Sequence, residues 1–454
     1  MREWDAQRVA DAAGATLHRP ARDLAEGPAR ASIDSRSATA QELFFGLPGE
    51  RTDGGCYAAQ ALAGGAWGVL VQPQHLDAAL AEPAGAVLSH PNPLAALQAL
   101  AGAWRIRLGA QVVAITGSTG KTSTKDILAA ILQQHLPTAA THANLNTEIG
   151  LPLTILAAPA GTRALVLELA MRGAGQIAQL TEIADPDVGV IVNVGAAHLE
   201  LLGSLEAIAA AKAELVAGMR AGTTAVLPAG EALLEPYLRA DLTTVTFGEG
   251  GDVALLASHS DGMVEIDAQR RRITLRPSFQ QAHQLTNLLA AVAAALALGV
   301  TPDGELEVAF TAMRGARLEL AGGVVAIDDC YNANPMSMRA AIDDLAATAA
   351  GRRVAVLGDM LELGPQSPEL HRRLGEQARA GGIEVLLTVG PLAAAARDTF
   401  GAQDSVAVPD AEAAAERIGT LVRDGDTVLV KGSRGVGLER VVDALRSRRG
   451  QGSD

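Results

Sequence analysis

The segment GSTGKT, from Gly117 to Thr122, combines glycines, hydroxyl side chains and a lysine in a spacing that suits phosphate binding. The apolar residues 112–116 before it predict a buried strand, and the apolar spacing in 121–135 predicts a helix. A glycine turn between the two directs backbone N–H groups at an anion. Lys121 would add positive charge for the terminal phosphates, and the Thr122 hydroxyl would be a ligand of Mg²⁺. The sequence therefore predicts a shortened nucleotide-phosphate loop, because Ile115 stands where the common GxxxxGK(S/T) pattern has its first glycine.

Two polar residues follow apolar runs further along the same unit. Glu168 ends the run 165–167, and His198 comes shortly after the run 190–194. In open α/β sheets, ligands bind at the carboxyl ends of strands. Each residue alone would be an ordinary polar residue at a strand end, but together with the phosphate loop they predict oxygen and nitrogen ligands for Mg²⁺. Lys212, on a predicted helix beside Glu214, is by itself typical of solvated surface.

The elements that must position these residues alternate between strands and helices. Core composition fits this, since 48% of the residues are hydrophobic and only 3% are aromatic, as in parallel sheets covered by alanine-rich helices. The 454 residues suggest roughly three domains. We predict an α/β protein with a small N-terminal α/β domain at 1–90, a central P-loop domain with a mostly parallel sheet at 91–314, and a C-terminal Rossmann-like domain at 315–454. The last lacks GxGxxG, so we predict no NAD binding.

Charge and patterning exclude several classes of protein. The net charge of −14 argues against a general nucleic-acid binder, which depends on basic contacts to phosphates. The polar start of the chain is not a signal peptide, and no apolar run has the roughly 18 residues that a membrane span needs. Two cysteines outside any metal-binding spacing fit a reducing compartment. We therefore expect a cytoplasmic enzyme without membrane insertion.

Several motifs, in order, closely resemble the Mur ligase family over about residues 32–444. They are GSTGKTST, NLNTEIGLP, LELAMRGAGQI, NVGAAHLELLGSLEAIAAAKAEL, DDCYNANPMSM, VLGDMLELG and KGSRGVGLERVV. The resemblance implies three domains, which bind the UDP end of one substrate, ATP, and the amino substrate.

The resemblance also implies roles for individual residues. The nucleotide is expected to contact Gly117, Ser118, Thr119, Gly120, Lys121, Thr122, Ser123, His283, Asn287, Arg317, Asp329 and Asn332. The other substrates are expected at Asp34, Ser35, Arg36, Gly49, Glu50, Arg51, Asn144, Asn146, Thr147, Lys431, Ser433 and Arg434. The catalytic set is Lys121, Glu168, His198, Lys212 and Arg317, and the metal ligands are Thr122, Glu168, His198 and Lys212 as a carbamate.

For the reaction, the resemblance implies that ATP and Mg²⁺ serve to join D-alanyl-D-alanine to UDP-N-acetylmuramoyl-tripeptide through an acyl phosphate. ATP is needed because a carboxylate cannot acylate an amine directly while hydroxide is the leaving group. Phosphoryl transfer requires positioning and charge neutralisation rather than a protein nucleophile. We expect a monomer.

Three alternatives stay open at this point. A sister Mur ligase that adds the third amino acid shares the loop and the metal site, but this chain lacks the Asp-Asn-Pro-Arg signature of diaminopimelate adders. Folylpolyglutamate synthase shares the ATP chemistry but usually has no domain ahead of the loop. A P-loop regulatory NTPase, the alternative from a different class, leaves His198, Lys212 and the third domain without a role.

Overall fold

The computed structural model describes residues 1–21, 26–36, 39 and 41–450. Within them, the strands form three sheets, which lie between residues 16 and 89, 111 and 306, and 316 and 431. The predicted α/β fold with three domains is confirmed. The exact domain bounds stay a prediction.

The first sheet has the strand order β1-β5-β4-β3-β2, and only the edge pair β1–β5 is antiparallel. Its strands are β1 (Thr16–Arg19), β2 (Arg30–Ser32), β3 (Glu42–Phe45), β4 (Gly68–Val71) and β5 (Ala86–Ser89), and its helices are α1 (Ala6–Ala13), α2 (Ala58–Ala63) and α3 (Leu76–Ala81). The strands β3, β4 and β5 are buried along their full lengths, as expected for parallel strands covered on both faces. These strands and helices agree with the predicted small N-terminal α/β domain.

The second sheet has the order β15-β14-β13-β12-β11-β10-β9-β6-β8-β7, and it is parallel except at β12–β13 and β13–β14. Its strands are β6 (Gln111–Thr116), β7 (Thr138–Ala140), β8 (Ala164–Glu168), β9 (Val188–Ile191), β10 (Thr224–Pro228), β11 (Thr243–Phe247), β12 (Val253–Ser258), β13 (Val264–Ala268), β14 (Arg271–Pro277) and β15 (Gly304–Leu306). Its helices are α4 (Pro93–Leu108), α5 (Lys121–Gln133), α6 (Gly150–Ala157), α7 (Gln176–Ala184), α8 (Leu199–Leu202), α9 (Leu205–Gly218) and α10 (Ala282–Ala297).

The third sheet has the order β16-β17-β21-β18-β19-β20, with an antiparallel edge at β16 and five parallel strands. Its strands are β16 (Ala316–Leu320), β17 (Val324–Asp329), β18 (Arg353–Gly358), β19 (Val385–Val389), β20 (Ser405–Val408) and β21 (Thr427–Lys431). Its helices are α11 (Pro335–Thr348), α12 (Ser367–Ala380), α13 (Ala396–Phe400), α14 (Ala411–Leu421) and α15 (Glu439–Arg449). Two separate apolar clusters cover its two faces, as in a doubly wound sheet.

One apolar core joins the first two sheets. It contains residues of α1, β3 and β5 together with residues of α4, β8 and α9. At its centre the rings of Trp4 and Trp104 meet edge to face, with centroids 5.3 Å apart. Helix α4 contributes buried residues to this shared core. The helix starts at Pro93 because the Asn92 side chain accepts a hydrogen bond from the Ala95 N–H and proline suits the first helical position. No helix among the described residues is long and apolar enough to cross a membrane.

Candidate active site

The phosphate loop lies at the carboxyl edge of three neighbouring strands. Strand β6 pairs in parallel with β8 on one side and β9 on the other, so that Ile115 lies opposite Glu168, and Thr116 opposite Ile191. The loop after β6, the carboxylate ending β8 and the segment after β9 therefore meet at one edge. This is where the strand order of an open α/β sheet creates a crevice for ligands.

The loop itself is closely packed around Gly120, which has a left-handed backbone with φ of +76°. A Cβ atom at this position would lie 2.5 Å from Oδ1 of Asn287 on α10, so only glycine fits without a shift. The Lys121 ammonium donates a hydrogen bond to the Gly117 carbonyl at 2.7 Å. Burial lowers the pKa of Lys121, while the Glu168 carboxylate acts in the opposite direction. The predicted arrangement of strand, glycine turn and helix is present.

Asn193 holds the loop from the neighbouring strand end. Its Oδ1 accepts hydrogen bonds from the backbone N–H groups of Ser118 (3.1 Å) and Thr119 (2.9 Å). The Ser118 hydroxyl in turn donates to the Gly195 carbonyl at 2.8 Å. Asn193 was not predicted as a site residue, although a polar residue inside the apolar run 190–194 was a usable signal. Strand β9 ends at Ile191, before this asparagine.

Glu168 is 1% exposed and is satisfied by neutral donors. Its carboxylate accepts hydrogen bonds from the Thr122 hydroxyl (2.7 Å) and the Asn146 amide (2.8 Å), and within the described residues it forms no ion pair. A buried carboxylate beside a hydroxyl is a suitable donor set for a hard cation. The described residues contain no cluster of three His, Cys, Asp or Glu side chains that could hold a metal, so any ion here would depend on this mixed set.

Lys212 on α9 is also 1% exposed, which corrects the interpretation that such a lysine belongs to the solvated surface. Within the described part of the chain no hydrogen bond or ion pair reaches its amine. Burial lowers the pKa of Lys212 well below its usual value, and the positive charge of Lys121 adds to this effect. The amine is therefore favoured in its neutral, nucleophilic form.

His198 connects the second domain with the third. Its Nδ1 lies 2.5 Å from an Oε2 of Glu362, and the Glu200 N–H donates to the Glu362 carbonyl at 3.0 Å. Both His198 (φ 59°) and Glu362 (φ 62°) have left-handed backbones, which are uncommon outside glycine. Burial lowers the pKa of His198, and Glu362 opposes the shift. Glu362 was missed, since a partner 164 residues away gives no local signal.

The third domain brings Asp329 and Lys431 together at the ends of β17 and β21, where they lie opposite each other in register. The Lys431 ammonium is 2.7 Å from the Asp329 carboxylate and also donates to the Asn332 carbonyl at 3.0 Å. Lys431, expected at the amino substrate, is thus engaged with two residues expected at the nucleotide. The Ser433 hydroxyl accepts a hydrogen bond from the Leu361 N–H at 2.9 Å, while Arg434 lies 3.6 Å from its neighbour Glu439.

Two further residues expected at the nucleotide are Arg317, on β16 of the third domain, and His283, on α10 of the second. Arg317 is 2.8 Å from the carboxylate of Asp344 and donates to the Thr348 hydroxyl at 2.6 Å, both on α11. His283 lies at the start of α10, where burial lowers its pKa and the carboxylates of Asp344 and Asp329 act against the shift. Neither side chain forms a hydrogen bond with the phosphate loop.

Among the predicted substrate residues of the first domain, Arg36 and Gly49 are exposed, whereas Asp34 and Ser35 are half-buried. Arg36 pairs with Asp34 at 2.8 Å, and its hydrogen bonds lower the pKa of Asp34 to about 2. Glu50 and Arg51 are likewise exposed, and so are Asn144 and Thr147 of the second domain, whereas Asn146 reaches Glu168. In the first-domain loop that contains Glu50 and Arg51, the Asp53 carboxylate lies 2.7 Å from Nε2 of His75. This pair was not predicted from the sequence.

Two family models match this chain. The Mur ligase middle domain matches residues 115–295, and the model described as "Mur ligase, glutamate ligase domain" matches residues 313–434. The first match begins at the end of β6 and includes the loop, Glu168, His198 and Lys212. The second begins at Met313 and includes Glu362 and Lys431.

Relatives match over nearly the full chain. The UDP-N-acetylmuramoyl-tripeptide–D-alanyl-D-alanine ligase of Synechocystis is 36% identical over 91% of this chain and 90% of its own length. The ligase of that name from Bacillus subtilis is 34% identical over 91% of this chain and 92% of its own. The crystal structure of MurF from Acinetobacter baumannii has a TM-score of 0.86 at 30% identity, with 98% of this chain and 99% of that chain covered. MurF ligase from Thermotoga maritima in complex with ADP has a TM-score of 0.80 at 31% identity, covering 92% and 97%.

Proposed function

This chain belongs to the Mur ligase family, and we propose that it joins D-alanyl-D-alanine to UDP-N-acetylmuramoyl-tripeptide with ATP as the energy source. The relatives named for this activity align with about nine-tenths of this chain and about nine-tenths of their own lengths. The observation on the site that carries the proposal is the phosphate loop together with the buried contact between Thr122 and Glu168. We further propose that the protein acts as a monomer in the cytoplasm.

The reaction proceeds in two steps. A carboxylate oxygen of the tripeptide attacks the γ-phosphorus of ATP, the bond from that phosphorus to the bridging oxygen breaks, and ADP leaves. The dipeptide amine then attacks the acyl carbon, a tetrahedral intermediate forms, and phosphate departs with the former carboxylate oxygen. The loop amides and Lys121 position and neutralise the transferring phosphoryl group, which is what such a transfer requires. The acyl phosphate must be kept from water, and closure of the third domain on the second, which already meet at Glu362 and His198, would serve this purpose.

The metal-binding residues we propose are Thr122, Glu168, His198 and Lys212. When bound, Mg²⁺ would neutralise phosphate charge in the nucleotide. The buried Glu168 carboxylate fits this role because its donors are neutral. Lys212 fits a carbamate, since its amine is buried and unpartnered among the described residues and its pKa is lowered. Addition of CO₂ to the neutral amine, with loss of one proton from the nitrogen, converts a buried neutral group into an anionic oxygen ligand.

The remaining predicted contacts are part of the same proposal. The UDP end would contact the exposed first-domain loops that contain Asp34 and Arg51. The ribose and base would lie beside Asp329 and Asn332, and the dipeptide carboxylate would bind at Arg434. This division requires the nucleotide to bridge the second and third domains, so that binding favours the closed arrangement.

A phosphate-release assay with matched substrates tests the proposal. With ATP and UDP-muramoyl-tripeptide, we expect release that depends on D-alanyl-D-alanine, with either lysine or diaminopimelate as the third residue. Release that instead depends on UDP-muramoyl-dipeptide and free lysine or diaminopimelate would assign the chain to the sister ligase. Release without any amine would favour a nucleoside triphosphatase. The Lys121→Ala variant, checked for folding by circular dichroism, should be inactive.

A further inference from the structure

Arg314 lies in the segment that joins the second domain to the third. Among the described residues, no hydrogen bond or ion pair reaches its guanidinium group, and its Nε atom is buried and unsatisfied. An arginine has five N–H donors, and leaving a buried donor unpaired costs free energy. The group is therefore prepared for a ligand that supplies acceptor oxygens.

Hydrogen bonds hold the backbone on both sides of Arg314. Before it, the N–H and hydroxyl of Thr311 donate to the Asp126 carboxylate at 2.9 and 3.0 Å. Asp126 lies on α5, the helix that directly follows the phosphate loop. After it, the Gly315 N–H donates to the Asp328 carbonyl at 2.9 Å on β17. The segment 311–315 thus connects the loop helix to the third domain, with Arg314 between them.

The side chain of Arg314 is oriented by Tyr331. Its guanidinium carbon lies 4.1 Å from the centroid of the Tyr331 ring, a cation–π contact. Stacking occupies the face of the guanidinium and leaves its in-plane donors available, the geometry that suits phosphate oxygens.

We propose that Arg314 binds the terminal phosphates of the nucleotide together with Lys121. The resemblance to the family assigned an arginine to this task at Arg317, which here is held by Asp344 and Thr348 on α11. Arg314 is an additional phosphate contact located at the junction of the domains. The inference depends on the proposed function only in taking ATP as the ligand.

Nucleotide affinity tests the role of Arg314 without the ligation reaction. Dissociation constants for AMP, ADP and ATP would be measured by calorimetry for the wild type, Arg314→Ala and Arg314→Lys. The matched control is Arg339→Ala, which removes the same charge from an exposed position on α11. A charged hydrogen bond to a terminal phosphate predicts that Arg314→Ala weakens ATP roughly 10- to 100-fold. AMP should change less than about threefold, because it lacks those phosphates. Arg314→Lys should recover part of the loss.

The ratio of the ATP and AMP effects separates phosphate binding from a structural role. If Arg314 only stabilised the junction by stacking on Tyr331, its replacement would weaken AMP and ATP alike, and that result would overturn the proposal. Unchanged ATP affinity in Arg314→Ala would overturn it as well. A wild-type protein that binds ATP but does not ligate the dipeptide would refute the proposed function, while the affinities would still decide the role of Arg314.

Discussion

Substitution of Gly120 by alanine tests how closely the phosphate loop is packed. The alanine would have to adopt the left-handed backbone of Gly120, which costs about 1–2 kcal/mol in a non-glycine residue. Its Cβ atom would also lie 2.5 Å from Asn287 Oδ1. Overpacking of this kind adds about 1–3 kcal/mol. Gly109, at the end of α4, supplies a matched control, because it has a φ of +61° and a Cβ there would meet no atom within 4 Å. We expect Gly120→Ala to lower the free energy of unfolding by about 2–5 kcal/mol and Gly109→Ala by about 1–2 kcal/mol.

Urea unfolding of the whole chain, in the transition of the first two domains that share one core, would measure both losses from the shift in midpoint at constant slope. A double-mutant cycle with Asn287→Ala isolates the clash. That variant removes the atom that the new methyl group meets, along with a 3.0 Å hydrogen bond from the asparagine amide to Gln284. The double variant should lose about 1–3 kcal/mol less than the sum of the two single losses. An additive cycle, or equal losses for Gly120→Ala and Gly109→Ala, would refute the reasoning.

Three further predictions concern the site and its surroundings. Asn193→Ala removes the acceptor of two loop amides and should weaken ATP binding about tenfold in calorimetry; wild-type affinity would show that the loop keeps its shape without this side chain. Cys56 is exposed, whereas Cys330 is buried, and burial and a hydrogen bond to the Asp328 carboxylate raise the pKa of Cys330. A thiol reagent at pH 8 should therefore modify Cys56 quickly and Cys330 only after unfolding. Rapid modification of both cysteines in the folded protein would contradict this. Lys212→Ala should abolish ligation, with partial recovery on addition of formate or acetate, and a fully active Lys212→Arg would exclude the carbamate.

The parts of the fold that the sequence predicted are those with local signals. The loop could be located because an apolar run, a glycine turn and a helical spacing follow one another within about 25 residues. Glu168 could be placed beside it because parallel strands end at a common edge. The meander from β12 to β14 was missed, since strands with exposed faces, such as 271–277, alternate in a pattern that turns and loops also show.

The rest depends on contacts that no spacing reveals. Glu362 meets His198 across 164 residues, and the partner of Arg317 is on a helix that follows another strand. Lys212 was selected only through the family motif, because its own helix resembles solvated surface although the side chain is 1% exposed. Burial of a charged residue is decided by the elements packed over it, and these are fixed by tertiary structure.

The apolar core shared by the first two sheets determines where the chain could be recombined with a relative. Since Trp4 and Trp104 belong to one cluster, a first domain exchanged alone would leave a mismatched surface against α4. The third domain has cores of its own on both faces of its sheet. A chimera joined between 311 and 312 would keep every cluster intact and would need to preserve mainly the polar contacts across the junction. Exchange of the third domain between members of the family is therefore most feasible at that point of the chain.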